Sequence, residues 1–173
     1  GTGFLANIEI GDKIKLTQVV PQTSYWSFDS DNSDAKGTAT MTNIGTPTYT
    51  AGKFGNALTL NGTDQALAIT DAAAFNPTGA FSIRGWIKTS TTGTVIFQSW
   101  NYLTSKGYGI KFFIGGGKIN ISFGNDVTSF PTIAGSTTVT DNVYKYVVVS
   151  YQSNFVKIFV NGVLDGSGVV PTP

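Results

Sequence analysis

Four oxygen-bearing side chains, Asp29, Asp31, Asn32 and Asp34, fall within six residues of one another. Carboxylates and amides at that spacing can converge on one hard cation if the loop curls, and calcium takes roughly six to eight such oxygens. Asp64 is a possible further ligand, so the calcium candidates are Asp29, Asp31, Asp34 and Asp64. The spacing is not that of an EF-hand: Ser33 holds the fifth position, Asp34 stands where that loop has Gly, and no Glu follows. The competing reading is a solvated turn in which Asp and Asn bond their own backbone.

A second chemistry is sugar binding, which needs flat aromatic faces beside amides and carboxylates. Trp100, Asn101 and Tyr102 lie in a loop-like stretch before Ser105-Lys106-Gly107, and Asn125, Asp126 and Phe130 lie in a Ser/Thr-rich one. The aromatics on alternating runs, Trp26, Phe28, Phe81, Trp86, Phe112 and Phe159, are assigned to packing. Arg84, the one Arg of the chain, shares a strand face with Trp86 and suits either a salt bridge or an acidic sugar. Asn61-Gly62-Thr63 and Asn120-Ile121-Ser122 fit the glycosylation pattern.

Catalytic equipment is sparse. With no Cys and no His there is no thiolate or imidazole nucleophile, general base or soft metal site. Glu9 is the single Glu, and a glycosidase needs two carboxylates facing one bond. No catalytic residue is therefore assigned. Only 12% of residues are charged, the net charge is +1 and the cations are scattered, which argues against nucleic acid. No apolar run approaches the length of a membrane helix, so no membrane insertion is expected. Gly115-Gly116-Gly117-Lys118 runs into Ile119 and a strand, unlike a phosphate loop.

The elements that must carry these residues are strands. Alternation puts Phe81, Ile83, Gly85 and Ile87 on one face and Ser82, Arg84, Trp86 and Lys88 on the other. Similar runs occupy 25–29, 54–60, 66–70, 94–99, 108–114, 118–123, 144–151 and 155–160. Asn61-Gly62, Asn161-Gly162 and Gly115-Gly116-Gly117 supply turns. Residues 71–75 offer at most one helical turn, and 166–173 read as a linker or frayed end. The length, 173 residues, suits one domain, so the class is an all-β, antiparallel two-sheet β-sandwich.

Five blocks in order, YWSFDSDNSD, AGKFGNALTLNGTDQALAI, FSIRGWIKT, YGIKFFIGGGKINISF and YKYVVVSYQSNFVKIFVNGVLDG, resemble the laminin G-like, concanavalin A-like lectin/glucanase superfamily. The resemblance implies a jelly roll over 24–173 that binds a glycan or cell-surface polysaccharide, and the missing carboxylate pair makes it a module without catalysis. It also implies a setting within a larger extracellular, adhesin or phage tail or fibre protein, at a cell or virion surface. The alternative is a structural virion subunit that binds no sugar, with a glycoside hydrolase or polysaccharide lyase a weaker third. Family members carry a closing strand after the Val-Asn-Gly turn, and here residues 3–10 resemble that strand. Residues 1–23 are thus expected either to close the domain or to belong to a preceding module.

Overall fold

A computed structural model describes residues 24–37, 39–69, 79–100, 109–124 and 131–170, with Ser99 and Trp100 described by their backbone. The expectations for residues 1–23, the closing strand included, and for the helical turn at 71–75 lie outside the described residues. The chain divides into two compact units, Gly1–Ala74 and Phe75–Pro173. The described residues contain no helix and form antiparallel sheets throughout, an all-β sandwich fold.

In the first unit β1 (Thr42–Ile44) pairs with β4 (Ala66–Ala68), and β2 (Thr48–Ala51) with β3 (Asn56–Thr59). The strand expected at 25–29 does not form. Phe28 has a φ of 57°, which takes the backbone out of the extended region, and the Asp34 carboxylate gathers the preceding residues into a loop.

The second unit carries the sandwich. One sheet has the order β12-β11-β10-β5, built from β5 (Phe81–Ile87), β10 (Lys145–Gln152), β11 (Phe155–Val160) and β12 (Val163–Val169). The other has the order β6-β7-β8-β9, from β6 (Val95–Trp100), β7 (Gly109–Gly115), β8 (Lys118–Gly124) and β9 (Thr132–Thr138). Inward residues of both sheets meet in one core. Ile110, Phe112, Ile114, Ile119, Ile121 and Phe123 come from the second sheet, and Val147, Val149, Tyr151, Val156 and Ile158 from the first.

Hairpin chemistry sets the registers. Gly116 and Gly117 take φ of 59° and 76° between β7 and β8, and Asn161 and Gly162 take 50° and 82° between β11 and β12. Two successive positive φ values twist a two-residue turn in the sense of its strands. The β10–β11 hairpin uses Ser153 and Asn154 in the same way without a Gly.

Residues 166–169 belong to β12 rather than to a frayed end, and Val170 is 2% exposed. An irregularity opposite Ile158 and Phe159 leaves Asp165 outside the β11–β12 pairing and directs it at β9. The edges β9 and β12 meet there. A Cβ on Gly166 would lie 2.5 Å from the Ala134 carbonyl oxygen, so no larger residue fits that seam without displacing backbone.

Candidate functional site

In β7 the residues Ile110, Phe112 and Ile114 enter the core, so Lys111 and Phe113 point outward; in β8 the outward residues are Asn120 and Ser122. Strand pairing sets Gln98, Lys111, Ser122 and Thr132 side by side across all four strands. The next row holds Val95, Phe113, Asn120 and Ala134. Asn120 and Ser122 are 8% and 6% exposed, the buried polar side chains among the described residues. A polar group in such a place needs partners. Ser122 shares a 2.6 Å hydrogen bond with the Thr132 hydroxyl, and the Asn120 amide donates to the carbonyls of Gly115 and Lys118. The Lys111 ammonium lies 4.9 Å from the centre of the Phe113 ring.

The middle of this face thus offers amides, hydroxyls, an ammonium group and an aromatic ring. Those groups suit a polyhydroxylated ligand. Among the described residues no carboxylate joins them, and acid–base hydrolysis of a glycosidic bond needs a pair. In the sandwich the described carboxylates are Asp141, 2.6 Å from Lys145, and Asp165, which accepts from Ser136 and Thr137.

The candidates Asn101, Tyr102, Asn125, Asp126 and Phe130, and the Trp100 side chain, lie outside the described residues. Gly109 pairs with both Trp100 and Gly124, so β6 and β8 finish at the same end of this sheet. The residues of the polar face itself were not selected from sequence. Lys-Ile-Asn-Ile-Ser-Phe alternates like any half-solvated strand, and alternation carries no sign that its polar side is buried. Burial also removes Asn120 as a glycosylation acceptor, whereas Asn61 is exposed.

The other aromatics divide. Phe112 is core, and Phe81 packs against the core. Trp26 and Phe28 are half-buried in the first unit, where the Trp26 indole N–H donates to the Ala39 carbonyl. Trp86, assigned to packing, is instead 42% exposed on the outer side of β5, and Phe159 is half-buried on the outer side of β11.

Asp29, Asp31, Asp34 and Asp64 are each engaged separately. Asp34 accepts from the backbone N–H groups of Tyr25, Lys36 and Gly37 through one oxygen and of Ala39 through the other. Burial by itself would raise this carboxyl; the N–H groups and the Ser24 hydroxyl outweigh it and hold the group well below the usual carboxylate range. Asp31 accepts from the hydroxyl and N–H of Ser33, which lower its pKa. Asp29 accepts from the Asn56 N–H, and Asp64 from the Asn61 amide.

Among the described residues no three acids are grouped as metal ligands would be. Each of the four acids is thus held by hydrogen-bond donors of its own. Adding calcium to chelator-treated protein is expected to leave the melting temperature unchanged; a rise of several degrees would show that the loop reorganises around the ion.

A family model described as Concanavalin A-like lectin/glucanases superfamily matches residues 61–173. No curated protein matches the chain. Among solved structures the chain is similar to domain 4 of AbnA, a GH43 extracellular arabinanase from Geobacillus stearothermophilus, in complex with arabinotriose. The identity is 25% and the TM-score 0.67, over 85% of this chain and 74% of that one. It is also similar to the binding domain of Paraclostridial Mosquitocidal Protein 1, with 13% identity and TM-score 0.65, over 84% of this chain and 39% of that one. A third likeness is to an S-layer domain-containing protein from Clostridium thermocellum, with 22% identity and TM-score 0.54, over 85% of this chain and 72% of that one. The second and third speak to fold alone.

Proposed function

Because the chain belongs to the concanavalin A-like lectin/glucanases superfamily, we propose that it is a non-catalytic carbohydrate-binding module of a larger extracellular protein, with its site on the outer face of the β6–β9 sheet. The observation that carries this reading is the row Gln98, Lys111, Ser122 and Thr132 beside Phe113, exposed at Gln98 and Thr132, half-buried at Lys111 and Phe113 and buried at Ser122. The likeness to an arabinanase domain in complex with arabinotriose supports a saccharide as the ligand, and it names the first probe. Phe113 supplies a ring for the C–H face of a sugar, while Lys111 and Gln98 supply donors for its oxygens.

Titration calorimetry with arabinotriose and a panel of neutral oligosaccharides tests this. At least one is expected to bind, and the double variant Lys111→Ala/Phe113→Ala is expected to lose about ten- to a hundredfold in affinity, the equivalent of about 1–3 kcal/mol. Melting curves check that the variant stays folded. Release of reducing ends from the ligand would overturn the non-catalytic reading; unchanged affinity in the variant would move the site elsewhere. No binding to any saccharide would end the proposal.

A further inference from the structure

The opposite face of the sandwich, the outer side of the β12-β11-β10-β5 sheet, carries a different chemistry. Ser82, Arg84 and Trp86 of β5 alternate with core-directed Phe81, Ile83 and Ile87, and all three are exposed. Trp86 pairs across to Tyr146, with ring centroids 5.3 Å apart. Lys88 follows on the same side, its ammonium 5.4 Å from the centre of the Tyr144 ring. Two strands away, exposed Lys157 stands in the cross-strand row that begins with Ser82 and Ser150.

Three cations, an exposed indole and hydroxyls therefore share one face, with no carboxylate on it among the described residues. The described acids of this unit are turned elsewhere, Asp165 to β9 and Asp141 to Lys145.

We propose that this face is a second binding surface, selective for an acidic polysaccharide carrying carboxylate or sulfate groups. The idea takes its kind of ligand from the carbohydrate-binding reading but uses other residues. Charge complementarity names the occupant. Arg84 of β5 and Lys88 just after it are four residues apart, roughly 13 Å if the chain stays extended, and Lys157 lies two strand spacings to the side, roughly 10 Å. Such separations suit charges repeated along a chain better than a single ion. The Trp86 ring between Arg84 and Lys88 suits the flat side of a pyranose, which distinguishes this face from a patch that recognises charge alone. A chain of net charge +1 has no general field for a phosphodiester backbone.

Polygalacturonate and neutral arabinan, compared at low and at physiological salt, separate this proposal from the preceding one. Wild-type protein is expected to bind polygalacturonate, with affinity falling as salt rises. In Arg84→Gln/Lys157→Gln the polygalacturonate affinity should fall about three- to tenfold, with a further loss in Trp86→Ala and with arabinan binding unchanged. The melting temperature of each variant controls for folding, and Lys111→Ala/Phe113→Ala should show the reverse selectivity. Polygalacturonate binding that these changes leave intact would overturn the proposal, as would none in the wild type or stronger retention on single-stranded DNA or anionic vesicles. Wild-type protein that binds polygalacturonate but no neutral saccharide would overturn the neutral site and leave this one standing.

Discussion

Phe123→Ala is expected to lower the unfolding free energy by about 3–5 kcal/mol, a large share of the ~5–15 kcal/mol a domain possesses. Phe123 is fully buried in β8 and its ring crosses the sandwich. Its centroid lies 6.5 Å from that of Phe81 in β5 and 5.4 Å from that of Tyr151 in β10, and those two rings stack 5.3 Å apart. Truncation removes contacts to both strands of the facing sheet and leaves a cavity that two paired strands cannot close by sliding. Phe123→Leu keeps most of the volume and should cost under about 2 kcal/mol. Urea unfolding followed by tryptophan fluorescence reads the difference; a loss under about 1 kcal/mol for the Ala variant would mean that the three rings do not tie the sheets together.

Asp165→Ala should weaken the same unit by about 1–2 kcal/mol after allowance for the solvent reaching the seam. Its carboxylate accepts from the hydroxyls and backbone N–H groups of Ser136 and Thr137, joining the edges β9 and β12. Burial would raise this carboxyl, but the four donors together lower it below its ordinary value. A folded-state pKa below the unfolded one contributes stability that is fully present above the unfolded pKa, about 3.9. That contribution is lost as pH falls through the folded value. The gap between wild type and Asp165→Ala should accordingly be constant from neutral pH down to about 5 and shrink below about 4. Denaturant midpoints at several pH values check this. A gap that widened in acid would contradict the assignment. Asp34, held low by backbone N–H groups in the other unit, adds to acid sensitivity in the same direction.

Much of the second unit was legible in the residues. Period-two alternation in Phe81–Ile87 and Phe155–Val160 gave both the strands and the faces, because successive side chains of a strand must point to opposite sides. Asn161-Gly162 and Gly116-Gly117 marked hairpins because their φ values suit few other residues. Other strands were hidden. β1, β2 and β9 are rich in Thr and short of large apolar side chains, so alternation had nothing to alternate. β12 contains Gly166 and Gly168, which read as a loop; they are instead small because β9 passes close by.

The acids at 29–34 show the same limit from another side. Clustered carboxylates fit either a cation or the backbone, and only the fold shows N–H groups of Tyr25, Lys36, Gly37 and Ala39 turned toward Asp34.

By itself, then, the sequence determined the class of the protein and the chemistry withheld from it: strands of alternating polarity, tight positive-φ turns, no thiol or imidazole and one Glu. These are local properties, decided by residue type and the two-residue repeat. Only the tertiary structure decided which polar side is buried and which aromatic is exposed. Ser122 and Trp86 both sit at alternate positions of ordinary strands. Their difference arises because Ser122 lies on a central strand with neighbours on both sides, while the β5 face leaves Trp86 open to solvent beside Arg84.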